Sequence, residues 1–355
     1  MRDLVTLLVT LLLAGSAPAA QAADNPATDT AATAKAKPAK PPKPYKVPRT
    51  PDGQPDLQGL WTNSSLTFLQ RPPIFKALAA TPQEEAMLLA GFKQFAGDLA
   101  SNAPIDPNKG PPPVVKEAPQ ADFLEMDLHL ARVNGEARSS WIVDPADGRI
   151  PFTPAGKKAD KDSGGKGYDG PEARPLEERC LTAIGNPEGP PMMNTGFNAN
   201  YQIVQTPDQV AILVEMNHDV RIIRLAARGQ PAPAHLPQPI QPWMGDSIGW
   251  WEGDTLVVET TNLNPKSYVG SLGGGFAWSP AGKLTERFTR TAKDRMMYAF
   301  AVDDPAYFTK VWRAEMPMRT ARGPIYEYAC HEGNYSLPNI LQGARVQERS
   351  ALAAK

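Results

Sequence analysis

The sequence predicts a mainly β protein, in which an antiparallel meander forms a lipocalin-like barrel or a strongly curved sheet. Two observations support this prediction. From residue 200 onward, short β-rich segments follow one another through short turns, without a helical pattern between them. The chain also contains 38 proline and 28 glycine residues, and only 21% of its residues are charged. This composition indicates many turns and long surface loops rather than a helical bundle.

The predicted strands of the meander occur in pairs. The segment "DSIGWWEGDTLVVETTNL" contains a tight turn at Glu252–Asp254, and "KLTERFTRTAKDRMMYAFAVDD" contains a turn at Ala292–Asp294. The last predicted pair is "FTKVWRAEMPM" and "PIYEYACHE". Within "LTERFTR", Leu284, Glu286 and Phe288 share one face, because strand side chains alternate. Polar groups on both faces fit a wet or ligand-filled interior, and a β-sandwich with one solvated face is the alternative.

One N-terminal helix is predicted over residues 81–100, before the meander. Thr81 is the expected N-cap, Pro82 fits the first helical position, and Glu84 completes a capping box. The apolar side chains that recur at helical spacing are Met87, Leu88, Phe92 and Phe95. Residues 101–175 are rich in turn-forming residues and are expected to form long loops.

The N-terminus predicts an exported protein. Arg2, the apolar run Leu4–Ala14 and the small residues up to Ala22 together form the pattern of a signal peptide over residues 1–22. A membrane anchor is the alternative, but the run is shorter than the roughly 20 apolar residues that a span needs. Residues 23–50 are rich in proline, alanine and lysine and are expected to form a flexible tether. The remaining residues, 51–350, are predicted to form a single β-rich domain. We therefore expect a periplasmic or secreted protein that has no transmembrane segment after signal cleavage.

The composition also narrows the classes of partner. The net charge is −1, and no basic stripe is interleaved with aromatic residues, so nucleic-acid binding is not expected. The segment "GSLGGGF" at 270–276 lacks the Lys-Ser/Thr of a phosphate loop and is predicted to be a flexible loop over the barrel mouth. Metal-binding histidine or cysteine spacings are absent as well, so neither a metal nor another cofactor is expected. The expected partner is a small-molecule ligand or substrate, and the oligomeric state stays open.

The two cysteines, Cys180 and Cys330, are predicted to form a disulfide, since exported proteins usually pair their cysteines. A reactive thiol at Cys330 is the alternative. A bond that closes so long a loop typically contributes about 2–5 kcal/mol to stability. If Cys330 is bonded, other polar residues of "YEYACHEGNY" are the candidates for function. These residues are His331, Glu332, Asn334 and Tyr335.

Two further clusters of polar residues interrupt the β pattern. The segment "EMNHDVR" places Asn217, His218 and Arg221 between two apolar strands, and imidazole is a common general base near neutral pH. The segment "QPWMGDSIGWWEGD" contributes Asp246 and Trp250. Adjacent tryptophans in a strand point to opposite faces, so one belongs to the core and the other can line a pocket. Each cluster also has a structural alternative. The first would be an exposed turn, and the second would contain a local cap formed by Asp246 and Ser247.

Several of these segments together resemble a largely uncharacterised family of exported bacterial proteins. They are "TPDGQPDLQGLW", "EMNHDVRII", "WMGDSIGWWEGDTLVVETTN", "LTERFTR" and "YEYACHEGNY". The resemblance implies a shared secreted domain and supplies no mechanism. The Gly59-Leu60-Trp61 triplet on an opening strand is also similar to that of lipocalin-like barrels, which hold small apolar ligands.

These residues predict an exported enzyme that acts on a small organic or sugar-derived substrate in a β-barrel pocket. It would be a lyase, isomerase or hydrolase that uses acid–base chemistry. The predicted catalytic residues are His218, His331, Asp246 and Glu332. The predicted substrate-binding residues are Arg221, Asn217, Trp250, Asn334 and Tyr335. One alternative is a lipocalin-like periplasmic binding protein for a small apolar ligand, and a second is a non-catalytic envelope protein.

Overall fold

The structure is a computed structural model that describes residues 45–100, 129–163, 167–183, 185–227 and 229–353. The predicted signal peptide lies outside the described residues, as does the predicted tether up to residue 44. Residues 101–128 of the predicted long loops also lie outside them.

Fourteen strands and three α-helices are found in the described residues. The helices are α1 Pro82–Ala100, α2 Pro154–Asp162 and α3 Ser336–Ala353. The first strands are β1 Gly59–Thr62, β2 Arg132–Val133, β3 Glu136–Ala137, β4 Ile142–Asp144, β5 Asn200–Gln205, β6 Gln209–Val214 and β7 Val220–Leu225. The later strands are β8 Asp246–Glu252, β9 Thr255–Thr261, β10 Tyr268–Ser271, β11 Gly274–Ala277, β12 Lys283–Ala292, β13 Arg295–Asp303 and β14 Trp312–Thr320.

Nine of the strands close into a barrel, which confirms the predicted lipocalin-like fold. The order of hydrogen-bonded neighbours is β1-β5-β6-β7-β8-β9-β12-β13-β14, and β1 also pairs with β14. The closing pair places Trp61 opposite Thr320 and Thr62 opposite Arg319. β4 pairs with the other end of β14, at Arg313 and Ala314. Closure removes the free edges that an open sheet of this size would expose.

The meander is antiparallel with one exception. β7 and β8 run parallel, with Ile223 opposite Ser247 and Leu225 opposite Gly249. A parallel pair needs a long connection, because the chain must return to the starting end before the next strand begins. Residues 226–245 make this connection, and the site described below is built partly from it.

Apolar side chains fill the interior of the barrel. Large aromatic side chains of the barrel strands are among them, namely Trp61, Tyr201, Phe288, Tyr298 and Trp312, and each is at most 1% exposed. They belong to one contiguous core cluster. Such close packing is typical of a protein interior. The described interior is therefore a packed core.

A charged pair is buried within this core. Arg221 donates to both carboxylate oxygens of Glu286, with an Nη1–Oε1 distance of 2.9 Å, and the two side chains are 2% and 0% exposed. Arg221 also donates to Ser247 Oγ at 3.0 Å and Thr260 Oγ1 at 2.8 Å, while the Tyr298 hydroxyl donates to Glu286 Oε1 at 2.7 Å. Although burial lowers the pKa of Arg221, the Glu286 carboxylate raises it above its ordinary value. The Arg221 guanidinium, which was predicted to bind substrate, is thus already bound by Glu286, Ser247 and Thr260.

The predicted helix over residues 81–100 is confirmed as α1. Its capping box is present as well. The Thr81 backbone N–H donates to Glu84 Oε2 at 2.7 Å, and the Glu84 N–H donates to Thr81 Oγ1 at 3.2 Å. Among the helices of the described residues, α1 included, none combines the length and apolar character needed to cross a bilayer.

The prediction of a final strand over "PIYEYACHE" is wrong. Residues 324–335 form no strand, and the chain turns there into α3, a helix that was not predicted. Both edges of β14 are already used, one by β13 and the other by β1 and β4. No edge is left at β14 to pair with another strand, so apolar alternation alone could not place this segment in the sheet.

The prediction of a flexible loop over "GSLGGGF" is also wrong. This segment forms the hairpin of β10 and β11, with Val269 opposite Phe276. Phe276 is fully buried and packs edge-on against Trp278 and Trp312. The aromatic contacts hold the glycine-rich hairpin against the core.

Candidate functional site

Two cavities meet beside β7, and together they form what we call the acidic groove. The larger has a volume of about 420 Å³ and lies against β7 and the end of its connection to β8. The smaller has a volume of about 230 Å³ and lies between residues 217–219 and 327–332. Leu181 and Asp219 line both cavities, so the two are adjacent. The carboxylates that line the groove are Glu188, Asp219, Asp246, Glu327 and Glu332.

The predicted disulfide is confirmed, and it forms part of the groove. Cys180 and Cys330 are bonded with an S–S distance of 2.07 Å and are 150 residues apart in sequence. Both cysteines line the smaller cavity. The bond links the segment after β14, which contains Cys330, to the loop that contains Cys180. It also excludes a free thiol at Cys330.

The structure brings several predicted site residues together in the smaller cavity. Asn217, His331 and Glu332 line it together with Asp219. His218 lies next to this cavity, where its Nδ1 accepts a hydrogen bond from the Tyr328 backbone N–H at 3.0 Å. His218 therefore connects the turn between β6 and β7 to the segment after β14. Asn217 adds an Nδ2 group that is buried without a hydrogen-bond partner among the described residues.

Asp246 lines the larger cavity, but its carboxylate is already saturated. It accepts hydrogen bonds from Arg224 at 2.8 and 2.9 Å, from His235 Nδ1 at 2.8 Å and from the Leu236 N–H at 2.9 Å. Although burial raises the pKa of Asp246, these hydrogen bonds together lower it below its ordinary value. His235 Nε2 also faces Glu259 Oε1 at 3.3 Å. Asp246 thus fastens the β7–β8 connection to the barrel, and this geometry does not favour its predicted role as a base.

Three other predicted residues lie away from the described lining of the groove. Trp250 donates from Nε1 to Glu252 Oε1 at 3.1 Å. Asn334 donates to the Glu178 backbone oxygen at 3.0 Å and thereby supports the disulfide loop. Tyr335 is 74% exposed. Their contacts are those of surface and loop residues.

Glu188 is the functional candidate that the sequence analysis missed. It lines the larger cavity and is only 2% exposed. Its Oε1 accepts a hydrogen bond from the Ala183 N–H at 2.9 Å, whereas Oε2 has no partner among the described residues. Burial, reinforced by the negative charge of Asp219, raises the pKa of Glu188 to about 8. The available signal was an isolated carboxylate in "NPEGPPMMN", a segment otherwise rich in proline and methionine.

Asp219 is the second carboxyl group of the groove whose pKa is raised. Burial raises its pKa, and the nearby His218 opposes this shift. Perturbed carboxyl groups that share a cavity are typical of sites that perform proton transfer. Among the described residues, no group of three or more histidine, cysteine or acidic side chains is arranged to hold a metal ion.

The larger cavity also has an apolar wall. It consists of side chains that are unusually exposed for their type, namely Val220 at 46%, Ile222 at 45%, Leu236 at 38% and Trp243 at 36%. Ligand pockets commonly combine such apolar surface with a few polar groups. The larger cavity therefore has the composition of a site for a small, partly apolar molecule.

Fold and groove together define the chain as a closed β-barrel protein with an acidic, disulfide-bordered groove. Comparison with known proteins gives no further assignment, since no protein-family model and no curated protein matches the chain.

The pH dependence of stability tests the state of Glu188. Its side chain ionises near 4.5 when unfolded but near 8 in the fold, so the native state holds the extra proton between these values. Its contribution to stability is therefore complete below pH 4.5 and is lost as the pH rises towards 8, by at most about 1.4 kcal/mol per pH unit. We expect Glu188→Gln to remove this decline, as measured by urea unfolding from pH 5 to pH 8. Glu172→Gln, at an exposed position, is the control, and identical profiles for Glu188→Gln and wild type would contradict the assignment.

Proposed function

We propose that the protein is an exported enzyme that performs acid–base chemistry on a small organic or sugar-derived substrate in the acidic groove. The observation that carries the proposal is Glu188, a cavity-lining carboxyl group with an unpaired oxygen and a pKa of about 8. A carboxylic acid that keeps its proton near neutral pH is suited to act as a general acid.

Asp219 is the proposed partner of Glu188 in proton transfer. It lines both cavities, and burial raises its pKa as well. Two carboxyl groups with mutual electrostatic influence lose their protons at different pH values, so one can donate while the other accepts. We assign the donor role to Glu188, because its pKa is raised to about 8.

The two cavities suggest how a substrate is held. The apolar side chains of the larger cavity contact its carbon skeleton, while His331, Glu332 and Asn217 in the smaller cavity offer polar contacts. A volume of about 420 Å³ lies within the range of small-molecule sites. Proton transfer without a cofactor fits a lyase, an isomerase or a hydrolase.

The disulfide supports the exported location. Structural disulfides persist in oxidising compartments and are rare in the cytosol of most organisms. The bond between Cys180 and Cys330 closes the border of the groove, so an oxidising compartment would keep the proposed site intact.

Turnover assays test the enzymatic proposal. Wild-type protein is offered model esters, lactones, glycosides and β-elimination substrates, and the active class is then assayed with Glu188→Gln and Asp219→Asn. We expect losses of about 100-fold or more in kcat, because general acid–base groups contribute about 10²–10⁴-fold. Glu172→Gln serves as the control and should retain wild-type turnover. Full activity in folded Glu188→Gln protein would overturn the role of this residue.

A small-molecule binding protein is the second candidate function. The observation that favours it is the exposed apolar wall formed by Val220, Ile222, Leu236 and Trp243. Ligands that change the tryptophan fluorescence of the protein but are released unchanged would support binding over catalysis. Replacement of Ile222 by aspartate should then weaken binding, since it places a charge in the apolar wall.

A further inference from the structure

A third cavity lies at the point where the barrel closes. Its volume is about 560 Å³, and its lining includes Thr62 of β1 and Arg319 of β14, which face each other across the closing pair. It shares no described lining residue with the acidic groove. It is therefore a separate candidate site.

The charge of this cavity is opposite to that of the groove. Its described lining contains Arg319 and Arg322 and no carboxylate. Arg319 already takes part in another contact and is not a free cation. Arg322 is exposed and forms no hydrogen bond or ion pair with any other described residue. The unpaired positive charge of the cavity is therefore that of Arg322.

The wall around Arg322 is held in place before any ligand arrives. Asn200 Nδ2 donates to Glu215 Oε2 at 2.6 Å, and the Tyr326 backbone N–H donates to Glu215 Oε1 at 3.1 Å. Glu215 is fully buried, so it ties the start of β5 to the segment after β14 from within the protein. Both Asn200 and Tyr326 line the cavity.

The remaining lining supplies hydrogen-bonding groups and aromatic surface. Thr62 and Ser64 are 4% and 9% exposed and line one part of the cavity. Phe197 and Tyr326 provide aromatic rings at the same cavity. A guanidinium binds carboxylate and phosphate oxygens through paired N–H groups, and aromatic rings pack against flat apolar surfaces.

We propose that this cavity binds a small molecule that carries an oxyanion, either a carboxylate or a phosphate, on a planar apolar body. Arg322 holds the oxyanion and the aromatic residues contact the body. This site is independent of the proton-transfer chemistry proposed for the acidic groove, because none of its residues belongs to that groove.

Calorimetric titration of the intact protein with benzoate, phenyl phosphate and benzamide tests the proposal. These probes share a ring, and only the first two carry an oxyanion. We expect benzoate or phenyl phosphate to bind at least about 10-fold more tightly than benzamide, and Arg322→Gln to remove this preference. Arg349→Gln is the matched control, since Arg349 is another exposed arginine and lies on α3. It should bind all three probes like wild type.

Each outcome has a defined meaning. Preference for benzoate or for phenyl phosphate supports the site and identifies the head group. The proposal is overturned if benzamide binds as tightly as benzoate and phenyl phosphate, or if none of the probes binds at millimolar concentrations. It is also overturned if Arg322→Gln still binds the oxyanion probes more tightly than benzamide. Glu188→Gln should leave the titration unchanged, which separates this result from the test of the acidic groove.

Discussion

Replacement of Arg221 by methionine is expected to lower the free energy of unfolding by about 3–5 kcal/mol. The reason is that Glu286 is fully buried and would lose the cation that compensates its charge. The Tyr298 hydroxyl would remain as a donor, but a neutral donor does not balance a buried carboxylate. Urea unfolding at neutral pH, followed by tryptophan fluorescence, measures the loss.

Two matched variants sharpen this test. Arg287 is the neighbour of Glu286 on β12 and pairs with Glu252 at the surface, where both side chains are nearly half exposed. Arg287→Met should therefore cost less than about 1 kcal/mol. The double variant Arg221→Met/Glu286→Leu should recover much of the single-variant loss, because no charge is then left unpaired. Equal effects of Arg221→Met and Arg287→Met would contradict the buried pair.

Removal of the disulfide is expected to be the second large effect. The double variant Cys180→Ala/Cys330→Ala should lose about 2–5 kcal/mol, because the bond restricts an unfolded loop of 150 residues. A local effect should accompany the global one. No residue of α3 is buried, so the disulfide is a main constraint on the segment that precedes this helix. Trypsin should cleave at Arg345 and Arg349 faster in the variant than in wild type.

A reducing agent provides the control for this prediction. Dithiothreitol should bring wild type to the stability of the double alanine variant and should leave that variant unchanged. Titration of non-reduced, denatured wild type should detect no free thiol, since both cysteines are bonded. Two free thiols, or equal trypsin sensitivity of variant and wild type, would contradict the proposed constraint.

The barrel places its candidate sites outside its core. Core residues and the Arg221–Glu286 pair fill the described interior. The acidic groove lies against the outward side of β7, where Val220 and Ile222 are exposed while Arg221 and Ile223 are buried. Strand alternation therefore turns Val220 and Ile222 outward, while Arg221, which also borders the larger cavity, points inward to Glu286.

Much of the fold followed from local patterns. The capping box of Thr81 and Glu84, the turns at Glu252–Asp254 and Ala292–Asp294, and the alternation around Phe288 all predicted elements that the structure contains. The strand predicted at "PIYEYACHE" failed, because pairing depends on a free neighbouring edge and β14 has none. The parallel β7–β8 pair was missed for a similar reason, since strand direction depends on the path of residues 226–245.

The candidate site was predicted in part. The sequence pointed to Asn217, His331 and Glu332, and the structure places all three in one cavity. The sequence alone could not show that the Asp246 carboxylate already accepts hydrogen bonds from Arg224 and His235. These partners come from β7 and from the β7–β8 connection.

The sequence by itself determined the mainly β class, the helix at residues 81–100 and the pairing of its only two cysteines. These follow from periodicity, turn chemistry and the absence of a competing thiol. Only the tertiary structure decided which charged groups are available for chemistry. Arg221 is neutralised by Glu286, whereas Glu188 keeps an unpaired oxygen in a cavity. The physical reason is that burial and charged partners set proton affinity, and both are supplied by residues distant in sequence.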